Sequence, residues 1–216
     1  MCTLIKTHLP SRWEGKECIL ELKNVDYQWR FTEWFASYFE YKAYQALEPF
    51  FGSNRRLKID NTIFDYFDSL NHVWDFKTHA FNSSAGQWVI LNGKESIDAC
   101  VERYGGIGMV IAEGQAEYDD DLGTFKTWHN EQKGKVSKYV SERIQRGARS
   151  RVMKKAFSLE RIEAIWLDST TLQKGLSSYW MKFFLEGMRN SGGSSRRAKY
   201  MMNLEKVPYE PRLASI

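Results

Sequence analysis

Two acidic side chains and one lysine in the stretch 63–79 have the types and spacing for work on a phosphodiester. Side chains alternate along a strand, so Val73 to Phe81 puts Val73, Asp75, Lys77 and His79 on one face. Trp74, Phe76, Thr78 and Ala80 fall on the other, the expected core side. A carboxylate holds a hard cation through oxygen, and a lysine two residues on can position water and neutralise charge growing on phosphate. One carboxylate holds magnesium poorly. With Ser69-Leu70-Asn71 as a hairpin turn, Asp65 falls opposite Asp75, at the cross-strand spacing of about 4.5–5.5 Å. Two carboxylates that close repel unless a cation lies between them, and that cation supplies a Lewis acid and an activated water. A third carboxylate is expected from a helix over Thr32 to Leu47, with Glu40 favoured and Glu33 behind it.

This arrangement resembles the PD-(D/E)xK nuclease superfamily, and within it the type II restriction endonucleases. The family pattern is an acidic residue on an early helix, an Asp on one strand and (D/E)-x-K on the next. Here those positions are Glu40, Asp65 and Asp75-Phe76-Lys77, and the likeness covers roughly residues 32–113. No Pro precedes the first Asp, which follows Phe64, so Asp60, Asp65 and Asp68 all stand as candidates. Asp65 is preferred, because Asp60 falls in a turn dipeptide and Asp68 points to the opposite strand face. Glu21-Leu22-Lys23 has the same D/E-x-K form but lacks an upstream acidic strand. The resemblance implies magnesium held by Asp65 and Asp75, help from Glu40 through water, and a water oriented by Lys77. It also implies cleavage of double-stranded DNA that leaves a 5′-phosphate, and a homodimer matched to a palindromic site.

Basic segments supply the surface such a reaction needs. Residues 126–161 hold eleven Lys or Arg against three acidic residues, directly after the acidic stretch Glu113 to Asp121. Lys133, Lys135, Lys138, Arg143, Arg146, Arg149 and Arg151 are the expected phosphate contacts there, with hydroxyls interspersed. Arg196, Arg197 and Lys199 lie in a Gly/Ser-flanked tail over about 191–216, expected to be flexible and suited to a DNA groove. Arg55 and Arg56 precede the acidic strands and are placed to touch phosphate near the scissile bond. His129 in Trp128-His129-Asn130 lacks the rest of an HNH motif and is read as a surface or DNA-contacting residue. Gly105-Gly106-Ile107-Gly108 leads into a strand, so it is no dinucleotide loop.

The elements that must position these residues follow from periodicity. Cys18 to Lys23 alternates like a short strand, and Thr32 to Leu47 reads as a helix capped by Thr32 and stopped by Pro49 and Gly52. Strands are expected at Leu57 to Ile59, Thr62 to Asp68, Val73 to Phe81, Ile107 to Ala112 and Ile162 to Leu167. Helices are expected at Glu95 to Tyr104, Val136 to Phe157 and Leu172 to Met188. That order gives an α/β fold, a mixed central sheet flanked by helices, in a single domain over residues 1–216.

Composition sets the outer bounds. The chain has 216 residues, 43% hydrophobic and 27% charged, so most of it must fold. The formal charge of +4 is mild, and the placement of charge matters more than its sum. No apolar run reaches the length of a membrane helix and Met1 to Pro10 lacks a signal-peptide core, so no membrane partner is expected. Cys2, Cys18 and Cys100 show no CxxC spacing, which points to a reducing compartment and a cytoplasmic location. A junction resolvase or repair nuclease of the same fold, or a DNA-binding protein without catalysis, are the alternative readings.

Overall fold

The computed structural model describes all residues except 53–55, 60–61, 135–144, 146–151, 185–186 and 190–194. The chain runs α1 (Cys2–Thr7), β1 (Arg12–Glu14), α2 (Gly15–Asn24), α3 (Trp34–Phe51), β2 (Leu57–Ile59), β3 (Thr62–Phe64), β4 (Tyr66–Phe67) and β5 (Val73–Ala80). It continues with β6 (Trp88–Gly93), α4 (Lys94–Tyr104), β7 (Ile107–Tyr118), α5 (Thr124–Lys133) and β8 (Lys154–Leu167). The last elements are α6 (Ser169–Ser177), β9 (Met181–Phe184), β10 (Lys199–Asn203) and β11 (Arg212–Ser215).

The main sheet has the order β1-β8-β7-β5-β4, with β11 also pairing β8. It is mixed: β5 and β7 run parallel, and their neighbours run antiparallel. Alternation on β7 sorts its side chains between two cores. Val110 and Ala112 join Trp74, Phe76 and the aromatic residues of α3 on one face. Ile107, Met109 and Ile111 join Val73, Ile97, Ile165, Leu167 and Met202 on the other. The sheet is therefore covered on both faces, which is why its central strands read as nearly unbroken apolar runs. Gly108 is required where it stands: a Cβ there would come within 2.0 Å of the Trp74 ring, its partner across the β5–β7 ladder.

Several expectations about elements change. Cys18–Lys23 lies inside helix α2, whose buried residues Gly15, Cys18, Ile19 and Leu22 follow helical rather than alternating spacing. Helix α3 starts at Trp34 with Glu33 as its N-cap and runs through Pro49 to Phe51 before Gly52. The basic helix expected over Val136 to Phe157 falls largely outside the described residues, but Lys154 to Phe157 belong to strand β8. The helix expected over Leu172 to Met188 ends at Ser177, and Met181–Phe184 is strand β9. Tyr179, at φ 58°, turns the chain between them. The tail expected to be flexible contains β10, which lies between β6 and β9 in a second, three-stranded sheet. It also contains β11 on the edge of the main sheet.

A buried ion network fastens that last strand. Arg161 on β8 forks onto Glu113 on β7, at 3.0 and 2.9 Å, and lies 3.7 Å from Glu163. Glu163 in turn pairs with Arg212 on β11 and accepts from Ser215 at 3.2 Å. Glu113 and Glu163 are essentially inaccessible to solvent, so each needs its guanidinium partner. Cys2, Cys18 and Cys100 are buried free thiols. No helix among the described residues is long and apolar enough to cross a membrane.

His129 is a core residue and not a surface one. It is fully buried on α5, with Nε2 2.8 Å from the Trp29 carbonyl. Burial holds its pKa down at about 4, against an ordinary 6.5. A depressed folded pKa means that stability is present above 6.5 and is lost as the pH falls through 4. The expected contribution is roughly 3 kcal/mol at neutral pH. His129→Gln, which keeps a donor but does not titrate, should flatten the melting temperature between pH 6.5 and 4 in thermal scans.

Candidate active site

Strand β5 pairs with β4 so that Tyr66 faces Trp74 and Phe67 faces Val73. Continuing that register by one residue sets Asp65 opposite Asp75. The turn between the strands is fixed by Asp68, which accepts from the amides of Leu70 and His72 at 2.9 and 2.8 Å. Asp68 also accepts from the Trp74 indole at 3.0 Å. These donors outweigh the cost of burial and hold the Asp68 carboxyl below its usual range. Asp68 is thus committed to the turn, and Asp60 lies outside the described residues. Of the three candidates, Asp65 is the one found beside Asp75.

The face of β5 that carries Asp75 is buried under the second core. Asp75 is 1% exposed and forms an ion pair with Lys77, whose side chain is 22% exposed. Asn92, at the end of β6, clamps both: its Nδ2 donates to Asp75 Oδ1 at 2.9 Å and its Oδ1 accepts from Lys77 Nζ at 3.2 Å. Among the described residues, Asp75 Oδ2 is buried with no hydrogen-bond partner besides that ion pair. Asp65 accepts from the Phe76 amide through Oδ2 at 2.7 Å, which ties it to the backbone beside Asp75.

Glu40 on α3 lies near this pair, linked to the Asp65 backbone through Tyr44. It accepts from the Tyr44 hydroxyl, from Arg56 at 2.8 Å and from Gln28 at 3.3 Å. The Tyr44 hydroxyl also lies 3.0 Å from the Asp65 carbonyl, which links α3 to the β3–β4 bend. Arg56 donates to the Tyr27 hydroxyl at 2.6 Å, and its guanidinium lies over the Tyr27 and Tyr44 rings. Glu33 is directed elsewhere, 3.5 Å from Lys154.

The electrostatics show too little positive charge. Burial, then Asp75 and Glu40, push the Asp65 pKa well above its ordinary value despite Lys77 and the Phe76 amide. Burial alone would lower the Lys77 pKa, but Asp75, Asp65 and Glu40 outweigh it and raise the pKa. Lys77 is therefore an ammonium at neutral pH, a donor and not a base. Among the described residues no three His, Cys, Asp or Glu side chains converge closely enough to hold a metal. Asp65 and Asp75 can offer two carboxylates. That fits magnesium, which keeps several waters and takes one or two carboxylates plus substrate phosphate.

Arg55, Lys135, Lys138, Arg143, Arg146, Arg149 and Arg151 lie outside the described residues. Lys133 ends α5 half-buried, and Arg196, Arg197 and Lys199 lead into β10. Three basic residues of the 126–161 segment serve the fold: Lys154 pairs with Glu33, Lys155 with Glu117, and Arg161 with Glu113. His79 is buried, and its Nε2 has no hydrogen-bond partner among the described residues. The residue that sequence reasoning missed is Asn92. Its only signal was a polar residue ending the apolar run Trp88 to Leu91. Comparison with family models, with curated proteins and with solved structures finds no match.

Proposed function

We propose that this chain is a magnesium-dependent deoxyribonuclease of the type II restriction kind, built on a restriction-endonuclease-like core. On this reading it cuts double-stranded DNA at a short specific sequence and leaves 5′-phosphate ends. The observation that carries the reading is the buried Asp75–Lys77 pair with Asp65 against it, where carboxylates outnumber ammonium groups. Carboxyl groups with strongly raised pKa values beside a specific charge partner cluster at functional sites.

Asp65 and Asp75 would hold Mg2+, which acts as a Lewis acid toward the scissile phosphate when bound. Lys77, protonated and clamped by Asn92, donates to the attacking water and to the phosphate oxygens as they gain charge. Glu40, held by Tyr44 and Arg56, presents its carboxylate beside Asp65 to orient water. Attack in line with the 3′ oxygen expels that oxygen and keeps the phosphate on the 5′ side. Symmetric cleavage of a palindrome calls for a homodimer. The cytoplasm is the proposed location.

The test is incubation of the purified chain with phage DNA and Mg2+. Discrete bands with 5′-phosphate ends are expected, and intact DNA across varied sequences in Mg2+ and Mn2+ would remove the reading. Preferential cutting of four-way junctions over linear plasmid would move it to a junction resolvase. A second expectation needs no substrate. At about 100 times its Kd, Mg2+ should stabilise the fold by about 2.7 kcal/mol, a rise of several degrees in Tm. Asp75→Asn should lose that rise in a thermal melt.

A further inference from the structure

Helices α4 and α6 turn stripes of helical spacing toward each other and leave room between them. Asp98, Val101 and Glu102 share one face of α4, and Leu172 and Leu176 lie one turn apart on α6. The space is a cavity of about 510 Å³ floored by Tyr200 of β10, within the range of about 300–1,000 Å³ usual for small-molecule sites. We infer that this cavity binds an aliphatic ammonium ion, a linear amine whose hydrocarbon stem lies on the apolar wall and whose charged head lies against Glu102 and Asp98. Its chemistry is separate from the proposed cleavage site.

The apolar wall is preformed. Leu172 and Tyr200 are buried in the second core, and Val101 and Leu176 pack against it half-buried. Such a wall offers a hydrated metal ion nothing, whereas each methylene laid on it leaves water and adds affinity.

The polar side is negative. The Tyr200 hydroxyl donates to Asp98 Oδ1 at 2.7 Å, and Lys94 Nζ lies 2.5 Å from Oδ2. Asp98 is thus held in place, with lone pairs left on both oxygens. Glu102, one turn on, is exposed and has no ion-pair partner among the described residues. Helix α4 closes beside the cavity at Gly105, so the partly negative carbonyl end of an 11-residue helix adds to the field. The opposite end of the other helix is neutralised, because Asp168 caps α6 by accepting from the Thr171 amide at 2.7 Å. No lysine, arginine or histidine lines the cavity among the described residues. An anion is repelled by this field, and a neutral molecule makes no use of Glu102. An ammonium on an aliphatic stem suits both walls. Ser169 and Gln173 at the rim offer acceptors for a second amine, which favours a diamine or a longer polyamine.

The test is calorimetric titration of the full chain, without DNA or Mg2+, with 1,4-diaminobutane and with spermidine. The wild type should bind each saturably, one to one. Glu102→Gln, at an exposed helix position, should keep the melting temperature and bind about tenfold more weakly or worse, the loss expected for a hydrogen bond between charged groups. Glu95→Gln removes the same charge from an exposed position of the same helix outside the cavity, and should change affinity by less than about twofold. Butanol and ammonium chloride, which each carry half of the chemistry, should not displace the diamine at equal concentration. No saturable binding at millimolar amine, equal losses in the two variants, or displacement by Mg2+ as readily as by a second amine would each overturn the inference. With no nucleic acid or metal in the cell, the outcome is independent of whether the chain cuts DNA.

Discussion

Asp75→Asn should reduce DNA cleavage by at least about a thousandfold while the protein stays folded and still binds duplex. Removing one group that stabilises transition-state charge typically costs 10²–10³ in rate, roughly, and this substitution also takes away half of the proposed magnesium site. The side chain keeps its shape, and its Oδ1 can still accept from Asn92 Nδ2. Repulsion on Asp65 is relieved, because Asp75 is the second cause of its raised pKa after burial. Stability without metal should therefore stay close to the wild type, an outcome opposite to that expected for a purely structural ion pair. Parallel cleavage assays and thermal melts of the two proteins give the answer. A fall in stability of several kcal/mol with no loss of cleavage would assign Asp75 to the fold.

Lys77→Met carries the second large effect, and it touches both rate and stability. Cleavage should fall by about 10²–10³, because the donor to the attacking water and phosphate is lost. Stability without metal should fall by about 2–3 kcal/mol, below the range for breaking a fully buried pair because the ammonium keeps some solvent contact. Added Mg2+ should restore most of that stability, since a cation again faces Asp65 and Asp75, but it should not restore the rate. Equilibrium unfolding with and without Mg2+ separates the two roles. Recovery of cleavage along with stability would show that Lys77 only balances charge.

The parts of this site that alternation encodes were legible in the sequence. Val73–Ala80 forms the expected strand, and its pairing with β4 stops one residue short of Asp65, whose side chain accepts from the Phe76 amide beside Asp75. Ile107–Ala112 is the buried central strand expected from an unbroken apolar run. What alternation cannot report is a second layer. The face with Asp75 was read as the one opposite the core, yet it lies beneath the core built by β6, α4 and β10. Strand β10 was hidden in a segment dominated by Arg, Lys, Gly and Ser, although Tyr200 to Leu204 is buried throughout. Its pairing partners, β6 and β9, are distant in sequence or were read as other structure. Lys154–Phe157 misled for a related reason: the segment was read as the end of a basic helix, while Ala156 and Phe157 are buried in a 14-residue strand that runs on through the expected Ile162–Leu167. Asn92 carries no titratable group and no motif, so only the fold could bring it to Asp75 and Lys77.

The most direct measurement is an anomalous difference map from a crystal of the wild-type chain soaked in Mn2+. The account predicts one strong peak between the Asp65 and Asp75 carboxylates, about 2.1 Å from an oxygen of each, with Lys77 Nζ turned toward the remaining coordination space. A map with no peak there, and the Asp75–Lys77 pair closed off within the apolar layer, would contradict it.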